Sequence, residues 1–450
     1  MELESLGELL YACQENRLML YKGFGEKTQQ NVMDAIEFYM KNQGHFLYAE
    51  ISAFAEAYDT AFNENFPTSV FSLTGAYKRQ LPIIEQLEWI TTTKKEELEL
   101  FLLSRGNTVD AATDQLIIAK TPENISLQFT LSTTENFHET LIETSSSPAF
   151  NEVWKAVLKG KDTAGLNEDQ LFSAAGLHFI PSYRRETGEI ISLARKEALP
   201  SPIQVADIKG IVHSHSTWSD GSNSLEEMSK ACIDRGLEYL VISDHSKSAF
   251  YAKGLSEERI KAQHEQVDEL NIKLAPFKVF KSIESDILND GALDYADAVL
   301  ASFDMVIASV HSNLKMNQEK AMMRLLKAIE NPYTTILGHM TGRLLLSRNG
   351  YPVDHAQIID ACVKNQVVIE LNAHPRRLDI DWSWINLALD KGAMISIDPD
   401  AHTLEGYNDI HYGVLAAQKS LLTKEKNLSS FSREELEHYL AERRKAKGTL

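Results

Sequence analysis

Side chains of types that bind metal ions, mostly histidine and acidic residues, recur between residues 213 and 402. A neutral imidazole is a good ligand for zinc, manganese or iron, and a carboxylate such as Glu284 can bridge two cations. A mixed set of this size implies two or three ions, which together could clamp a phosphate and activate water for its hydrolysis. The positions are His213, His215, Asp244, His245, Glu284, His311, His339, Asn372, His374, Asp398, Asp400 and His402.

Seven short apolar runs lead into these side chains, and stretches with helical periodicity separate the runs. This alternation predicts repeated βα units that form a parallel sheet or barrel. Because chemistry in such folds sits at the carboxyl ends of the strands, we expect the seven ends to meet at one mouth. The runs are Ile208–Val212, Tyr239–Ser243, Lys278–Ile283, Met305–Val310, Thr334–Gly338, Val367–Leu371 and Met394–Ile397.

His213 and His215 are separated by one residue at the end of the first run. Alternate residues of an extended strand point to the same side, so both imidazoles can face the barrel interior. Three cysteines, Cys13, Cys232 and Cys362, lie far apart without metal-type spacing, and we interpret them as buried thiols in a reducing cytoplasm.

The net charge of −19 over 450 residues limits the ways in which this chain can bind nucleic acid. Residues 1–150 hold 22 carboxylates against 10 lysines and arginines, a balance of −12. Such a surface does not attract a phosphate backbone non-specifically, so binding to nucleic acid requires local patches or metal ions. No apolar run reaches the roughly 18 residues of a membrane span, and no secretory leader is evident. We therefore expect a cytoplasmic protein with no membrane partner.

The strand-end motifs resemble the polymerase-and-histidinol-phosphatase (PHP) domain, in the version carried at the C-terminus of bacterial family X DNA polymerases. The similarity extends over nearly all of residues 205–420. It implies a distorted seven-stranded (β/α)7 barrel with up to three metal ions, and phosphoester hydrolysis that is typically a manganese-preferring 3′→5′ exonuclease. The motifs are His213-Ser-His215, Asp244-His245-Ser246, Glu284-Ser-Asp286, Ser309-Val-His311, Gly338-His339-Met-Thr-Gly-Arg343, Arg377-Leu378-Asp379 and Asp400-Ala-His402.

Carried over position by position, the resemblance gives nine metal ligands. All nine side chains are competent to bind a cation, which indicates a working site that holds two or three manganese or zinc ions, or iron. Asp220 and His245 could alternatively support the ligands from a second layer. The nine are His213, His215, Asp220, His245, Glu284, His311, His339, Asp400 and His402.

Basic side chains near the predicted mouth are candidates for phosphate contact. Arg343, Arg377 and Lys247 follow strand ends, where a guanidinium can grip phosphate with two hydrogen bonds. The alternative is a salt bridge at the rim, for instance between Arg377 and Asp379. His374 could be an extra ligand, a proton donor or a packing residue.

The N-terminal half resembles the polymerase part of the same family, but several of the family's motifs are altered or missing in it. The segment from Tyr21 to Thr28 resembles a helix-hairpin-helix, in which Gly23, Gly25 and Lys27 could receive a DNA phosphate, although a plain interhelical turn fits equally. Because the chain opens just before this hairpin, we expect the family's small N-terminal lyase domain to be missing. The resemblance thus divides the chain into 1–48 (hairpin and fingers-like), 49–143 (palm-like), 144–202 (thumb-like segment and linker) and 203–450 (PHP domain). The expected fold class is an α/β barrel that follows an α+β part similar to polymerase β.

The palm motif in this half is degenerate. Gly75-Ala-Tyr77-Lys78-Arg79 resembles its start, but Gln86 and Glu88 stand where the family has an Asp-x-Asp pair, and the third aspartate falls near Ser126. Two-metal nucleotidyl transfer needs carboxylates at these points, so we predict an inactive polymerase module.

Two further predictions concern elements outside the motifs. His138–Glu143 reads as strand-like, after strand-like pieces at Gln115–Ala119 and Leu127–Leu131. Glu425–Lys447 reads as a charged amphipathic helix with a solvated outer face.

Three functions fit this sequence. The first is a metal-dependent 3′→5′ exonuclease or DNA-end phosphoesterase, with the degenerate polymerase as a docking platform for DNA ends. The second is a phosphatase for a small phosphomonoester, which needs no basic groove. The third is a non-catalytic interaction protein in DNA repair, which the survival of all nine ligand positions disfavours. The oligomeric state is open at this stage.

Overall fold

The computed structural model describes residues 6–14, 18 and 21–449. The chain forms two compact units. The first, the N-terminal unit, comprises Met1–Tyr77, Ile83–Thr144 and Leu344–Asn349. The second, the C-terminal unit, comprises Lys78–Pro82, Ser145–Arg343 and Gly350–Leu450. The four-domain division proposed from the sequence stays a prediction.

The N-terminal unit begins with helices and continues as a mixed α+β fold. The helical prediction for residues 1–48 falls partly on 1–5, 15–17 and 19–20, which lie outside the described residues. The elements are α1 (Leu6–Gln14), α2 (Glu26–Lys41), β1 (Phe46–Leu47), α3 (Tyr48–Asn65), β2 (Phe71–Thr74), α4 (Gly75–Lys78), β3 (Ile83–Ile84), β4 (Leu87–Thr91), α5 (Lys95–Ser104), β5 (Thr108–Ala112), β6 (Leu116–Lys120), β7 (Ser126–Leu131) and α6 (Phe137–Thr144).

A five-stranded sheet with the order β2-β4-β7-β6-β5 forms the centre of this unit. Its core is aromatic, because Trp89 of β4 stacks on Phe129 of β7 with ring centroids 5.3 Å apart, and Phe62 of α3 packs edge-on against both rings. The strand-like interpretation of His138–Glu143 was wrong, since these residues lie in helix α6. Phe137, Leu141 and Ile142 lie on its buried face at helical spacing, and that packing outweighs the local strand propensity.

The C-terminal unit starts with three helices, α7 (Pro148–Leu158), α8 (Glu168–Ala175) and α9 (Glu189–Lys196). Arg185 is fully buried among them. Its guanidinium donates to the Ser145 hydroxyl at 3.1 Å, to Glu168 Oε1 at 2.8 Å and to the Ile180 carbonyl at 2.8 Å. A buried guanidinium is tolerated only with such partners, so Arg185 fixes the segment that leads into the barrel.

The rest of the unit is a βα barrel whose seven strands are those predicted from the apolar runs. Each strand is followed by a helix or a loop with a short helix, as expected for parallel pairing. The elements are β8 (Gly210–Ser214), α10 (Leu225–Asp234), β9 (Tyr239–Ile242), α11 (Glu257–Lys273), β10 (Lys278–Asp286), α12 (Asp297–Leu300), β11 (Met305–Ser309), α13 (Gln318–Glu330), β12 (Ile336–Leu337), α14 (His355–Asn365), β13 (Val368–Asn372), α15 (Ile385–Asp390), β14 (Ile395–Asp398), α16 (Ile410–Gln418) and α17 (Arg433–Lys447).

The strands pair in parallel in the order β14-β13-β12-β11-β10-β9-β8, and the sheet curls until its edges nearly meet. Closure occurs next to the carboxyl ends, where Ser214 bridges Ala401 in parallel and the His215 N–H donates to the Ala401 carbonyl at 2.8 Å. The α/β fold with a distorted seven-stranded barrel is therefore confirmed.

Helix α17 closes the opposite end of the barrel. Leu436 and Leu440 join Leu428 in the apolar core formed by the strand interiors. The Arg443 guanidinium donates to the carbonyls of Gln366, at 2.9 Å, and Thr334, just before β13 and β12. The predicted amphipathic helix therefore begins at Arg433 rather than at Glu425, and the buried stripe opposite its solvated face forms the floor of the barrel.

Two expectations from composition concern cysteines and membranes. Cys13, Cys232 and Cys362 are free and buried, and burial raises the pKa of the Cys232 thiol to about 12. Among residues 6–14, 18 and 21–449, no helix has the length and apolarity that a membrane span needs.

Candidate metal centre

Glu284 lies at the centre of a ring of five histidines at the carboxyl ends of the strands. Its Oε1 is 3.0 Å from His311 Nε2 and 3.0 Å from His339 Nε2. The same oxygen lies 3.2 Å from His213 Nε2. Its Oε2 is 2.9 Å from His245 Nδ1 and 3.7 Å from His215 Nε2. Strand β10 lies between β9 and β11 in the sheet, so its terminal carboxylate reaches ligands that follow the strands on both sides.

Asp220 and Asp400 extend this ring on the side of β8 and β14. Asp220 Oδ1 is 3.5 Å from His402 Nε2 and 3.7 Å from His245 Nε2. Asp400 Oδ1 is 3.1 Å from His215 Nε2 and 3.5 Å from His213 Nε2. The structure thus brings all nine sequence-predicted ligand positions into one cluster.

The cluster contains three groups whose ligand atoms lie within 4.8 Å of one another. His215 belongs to two of the groups and His245 to two, so these residues would hold up to three cations in adjacent sites. His339 lies outside the three groups but contacts Glu284. The groups are His215, Asp220, His245 and His402; His213, His215 and Asp400; and His245, Glu284 and His311.

Several buried polar atoms of the cluster lack hydrogen-bond partners among the described residues. They include His213 Nε2, His215 Nδ1 and Glu284 Oε2. A buried polar atom left unpaired costs about 1–3 kcal/mol, so a set of such atoms facing one another fits residues arranged to bind cations.

His213 and Asp400 both have left-handed backbone conformations, with φ of 59° and 52°. His213 lies where the register between β8 and β9 shifts between Ile211 and Ser214, so β8 carries a bulge there. The two imidazoles of His213 and His215 therefore enter the site through a bulge rather than a regular strand. A non-glycine residue in this region costs about 1 kcal/mol or more, and such strain clusters at functional sites.

Three buried carboxylates outside the nine predicted ligands support the cluster, and Glu370 is the one that belongs to none of the motifs found in the sequence. Glu370 of β13 pairs with His213 Nδ1, and Asp286 of β10 with His311 Nδ1 at 2.5 Å. Asp244 accepts the Ser216 N–H at 2.8 Å and the Gln263 amide at 2.6 Å, which fixes the loop after β8. Glu370 could have been found, because a charged residue within the apolar run Val367–Leu371 needs a buried partner.

The protonation states of the histidines in the cluster depend on burial and on the neighbouring carboxylates and imidazoles. Burial opposes a charged His213, but Glu370, Asp400 and Glu284 hold its pKa well above the ordinary value. Although burial again opposes the charged form, His402 has a pKa raised to about 9 through its hydrogen bond with Asp220. Burial and the neighbouring His245 lower the pKa of His215 to about 3, so this imidazole stays neutral and ready to bind a cation.

The predicted phosphate-binding arginines have different surroundings. The Arg343 guanidinium donates to the carbonyls of Arg377, at 2.9 Å, and Leu378, and to Asp381 Oδ2 at 2.8 Å. These partners engage Nε, Nη1 and Nη2, so Arg343 holds the loop after β13 in place. Arg377 lies at the site itself, with Nε 3.4 Å from Asp400 Oδ2. Its predicted alternative partner, Asp379, instead accepts from Thr341 and Gly342.

Lys247 and His374 lie nearby, outside the three groups. Lys247 Nζ is 3.8 Å from Glu257 and 5.0 Å from the centre of the Tyr295 ring. His374 Nδ1 accepts the Arg376 N–H at 3.2 Å, so its neutral ring carries the proton on Nε2. Burial lowers the pKa of His374, which favours that neutral form.

The candidate residues of the N-terminal unit belong to none of the three groups. Gly23 and Gly25 lie in an exposed turn between α1 and α2, Gly23 with φ +96°, and Lys27 is exposed in the first turn of α2. In the palm-like sheet, Glu88 lies opposite Gln128, whose amide donates to Glu88 Oε2 at 3.1 Å and lies 3.4 Å from Gln86. Gln128, rather than Ser126, therefore faces the positions of the family's acidic pair.

Similarity to known proteins is strong over the whole chain. The PHP domain model matches residues 212–374. Over 460 aligned residues the chain is 32% identical to the DNA polymerase/3′-5′ exonuclease PolX of Bacillus subtilis, with 98% of this chain and 80% of that protein covered. The chain belongs to the bacterial PolX family.

This PolX family member is also similar, over about a third of its length, to proteins described as probable phosphatases. A probable phosphatase of Caldanaerobacter subterraneus is 25% identical over 175 residues, which cover 36% of this chain and 60% of that protein. The probable phosphatase YcdX of Escherichia coli is 27% identical over 134 residues, 28% of this chain and 52% of the relative. With the PHP match and the ligand cluster, the PolX member is a metal-dependent phosphoester hydrolase.

Proposed function

We propose that this chain is a 3′→5′ DNA exonuclease or DNA-end-processing phosphodiesterase that uses two or three manganese or zinc ions. The observation that carries the proposal is the set of three ligand groups that share His215 and His245 around Glu284. DNA as the substrate is supported by the relative that aligns over almost the whole chain, whose name describes a DNA polymerase and 3′-5′ exonuclease.

The nine residues from His213 to His402 fit such ions by chemistry and by geometry. Six imidazoles with three carboxylates suit manganese or zinc better than magnesium, which prefers an all-oxygen site. When bound, the ions would polarise a phosphate and supply an activated water for its hydrolysis. Glu370 and Asp286 would hold His213 and His311 in the tautomer that presents Nε2 to a cation.

Two residues of the chain would act on the phosphate directly. Arg377, beside Asp400, would balance the charge that develops on the phosphate oxygens. His374 would donate the proton on Nε2 in a hydrogen bond to an oxygen of the substrate. Arg343 would position Arg377 through its carbonyl rather than bind phosphate itself. Lys247 lies at the exposed rim, where it would contribute mainly to attraction of the substrate.

We further propose that the polymerase module is inactive. Amide side chains at Gln86 and Gln128 leave Glu88 as the one acid of this group, and Gln128 already occupies it as a hydrogen-bond donor. One carboxylate does not hold the two cations that nucleotidyl transfer requires. In this proposal Gly23, Gly25 and Lys27 serve, at most, as a weak contact for DNA.

A small-molecule phosphomonoesterase is the second candidate. The observation that favours it is the similarity of about a third of the chain to probable phosphatases. The net charge of −19 is also easier to reconcile with a small substrate than with a long polyanion.

To test this, the manganese-loaded protein is incubated with a 3′-recessed DNA and, separately, with a generic phosphomonoester, and the rate of hydrolysis of each is measured. Asp400→Asn and His339→Ala should each lower the rate by about a hundredfold or more, because each removes a ligand while the fold is retained. Glu405→Gln is the matched control, since Glu405 is exposed in the loop just beyond His402.

The two candidates give opposite substrate preferences in this test. Release of nucleotides from the 3′ end identifies the exonuclease, and turnover of the monoester alone identifies the phosphatase. No turnover of either substrate with metal present would contradict both. Full activity of Asp400→Asn would show that the ligand assignment is wrong.

A further inference from the structure

Two aromatic side chains, Phe250 and Tyr251, stand exposed beside the metal centre in a loop that starts at a ligand. This mouth loop, residues 246–255, begins directly after His245 at the end of β9 and returns to the same residue, because the Leu255 N–H donates to the His245 carbonyl at 2.9 Å. The Ser246 N–H donates to the Glu284 carbonyl at 3.0 Å. Both ends of the loop are therefore fixed to ligands of the candidate centre.

The body of the mouth loop is tightly closed. Ser248 donates its N–H to Asp294 Oδ2 at 2.6 Å and its hydroxyl to Asp294 Oδ1 at 2.5 Å. A Cβ on Gly254 would lie 1.9 Å from the Ser246 carbonyl oxygen, so only glycine allows the two strands of the loop to approach this closely. Arg259 donates to the carbonyls of Lys253 and Gly254 and so secures the outgoing strand of the loop.

The aromatic rings contrast with the rest of the loop. Ala249, Ala252 and Leu255 are buried beneath it, whereas Phe250 is 83% exposed and Tyr251 64% exposed. The two rings lie edge to face with centroids 5.9 Å apart. Local packing does not use this apolar surface, so a rigid loop presents two rings to water next to a phosphoesterase site.

The two hydrogen bonds that fix the ends of the mouth loop to His245 and Glu284 keep Tyr251 near the centre, and the charges around its ring agree with this position. Partial burial, and then the carboxylates of Asp286, Glu284 and Asp220, raise the pKa of Tyr251 to about 12, while Arg377 opposes them. The phenol therefore lies within electrostatic reach of the ligands and of the arginine proposed to bind phosphate.

We propose that Phe250 and Tyr251 form a stacking platform for the base of the nucleotide whose phosphate is hydrolysed. The substrate is then an unpaired nucleic-acid end, since a paired base could not lie against these rings. The inference rests on the proposed exonuclease function and specifies its substrate. Stacking needs only the flat face of a base, so the platform accepts all four bases. It also supplies attraction that an acidic protein cannot obtain from a basic groove.

The test compares two single-stranded oligonucleotides, one with a normal 3′-terminal nucleotide and one with an abasic 3′ terminus. With manganese-loaded full-length protein, kcat/KM for the normal end should exceed that for the abasic end by about tenfold or more, as expected for one base stacked on aromatic side chains. In the variant with both Phe250→Ala and Tyr251→Ala, this ratio should fall to about twofold or less. Tyr251→Phe, which keeps the ring, should retain it.

The control is Ile272→Ala, because Ile272 is 84% exposed on α11 and lies far from the loop in sequence. It should keep the ratio of the unchanged protein. An equal loss of rate on both oligonucleotides in the double variant would overturn the platform and leave the exonuclease intact. Failure of the unchanged protein to cleave any oligonucleotide, while it hydrolyses a phosphomonoester, would overturn the proposed function and the platform with it.

Discussion

Asp286 illustrates how single residues outside the ligand set govern this site. It lies two residues beyond Glu284 on β10, and its carboxylate accepts from His311 Nδ1. Burial opposes protonation of His311, yet Glu284 and Asp286 raise its pKa to about 10. Asp286 therefore sets both the orientation and the basicity of a candidate ligand.

The variant Asp286→Asn should weaken metal binding by about 10- to 100-fold, because loss of an orienting carboxylate usually has that effect on a histidine ligand. Titration of the metal-free protein with manganese, followed by calorimetry, measures the change. Asp290→Asn is the matched control, since Asp290 is exposed four residues further along and pairs with Lys327. An unchanged dissociation constant for Asp286→Asn would contradict a positioning role.

Prediction from sequence succeeded at residues whose type and place in the chain were both informative. The histidines at strand ends are such residues, and the structure gathers them at one mouth. Arg343 shows the limit, because its sequence position is equally consistent with gripping phosphate and with holding Arg377 and Asp381. Only the three-dimensional arrangement of carbonyls distinguishes these possibilities.

Element α17 shows that a charged sequence can conceal a structural role. Charge dominates its composition and its outer face is solvated as predicted, but Leu436 and Leu440 lie at the spacing of one helical turn and complete the barrel core. The strand-like interpretation of His138–Glu143 failed because short apolar runs do not distinguish strands from buried helices. The seven barrel strands were easier to predict because βα repetition reinforces each of them.

Leu436→Ala should lower the free energy of unfolding of the barrel by about 2–5 kcal/mol, because it leaves a cavity in the floor. Urea denaturation followed by circular dichroism measures this. His438→Ala on the exposed face of the same helix should change the free energy by about 0.5 kcal/mol or less. Equal effects of the two substitutions would mean that α17 does not contribute to the core.

Helix α11 carries a pH-sensitive contact. Burial, with Lys281, lowers the pKa of His264 from 6.5 to about 4, and its ring packs edge-on against Phe303 at 5.0 Å. Between these values the unfolded chain binds the proton more tightly than the folded one. The stability that the neutral ring provides is therefore complete above 6.5 and is lost as the pH falls through about 4.

The free energy of unfolding of the unchanged protein should consequently fall more steeply between about pH 7 and about pH 5 than that of His264→Gln, which cannot titrate there. Parallel urea titrations at the two pH values give the comparison. Identical slopes for the two proteins would show that His264 has an ordinary pKa in the folded state.

At the scale of the whole molecule, the two units differ in how complete their candidate sites are. The C-terminal unit has nine ligand-type side chains in contact range, whereas the palm-like sheet has Glu88 between two glutamines. Because the net charge is −19, the attraction of a phosphate depends on bound cations and on local basic residues such as Arg377.

We therefore expect no template-dependent incorporation of deoxynucleotides above background with either magnesium or manganese. Primer extension on a gapped DNA, with exonuclease activity suppressed by Asp400→Asn, measures this. Incorporation that persists in Asp400→Asn and disappears in Glu88→Gln would contradict the prediction, because it would mean that Glu88 holds a catalytic cation.

Because α17 forms the floor, a complete barrel requires more of the chain than the PHP match covers. The PHP match ends at residue 374, before Asp400 and His402, and even a segment that ended just after those ligands would leave the apolar bottom of the barrel open to water. Recombination that moves this barrel between genes must therefore carry the chain through to about the end of α17. Alternatively, the recipient has to supply another lid for the same surface.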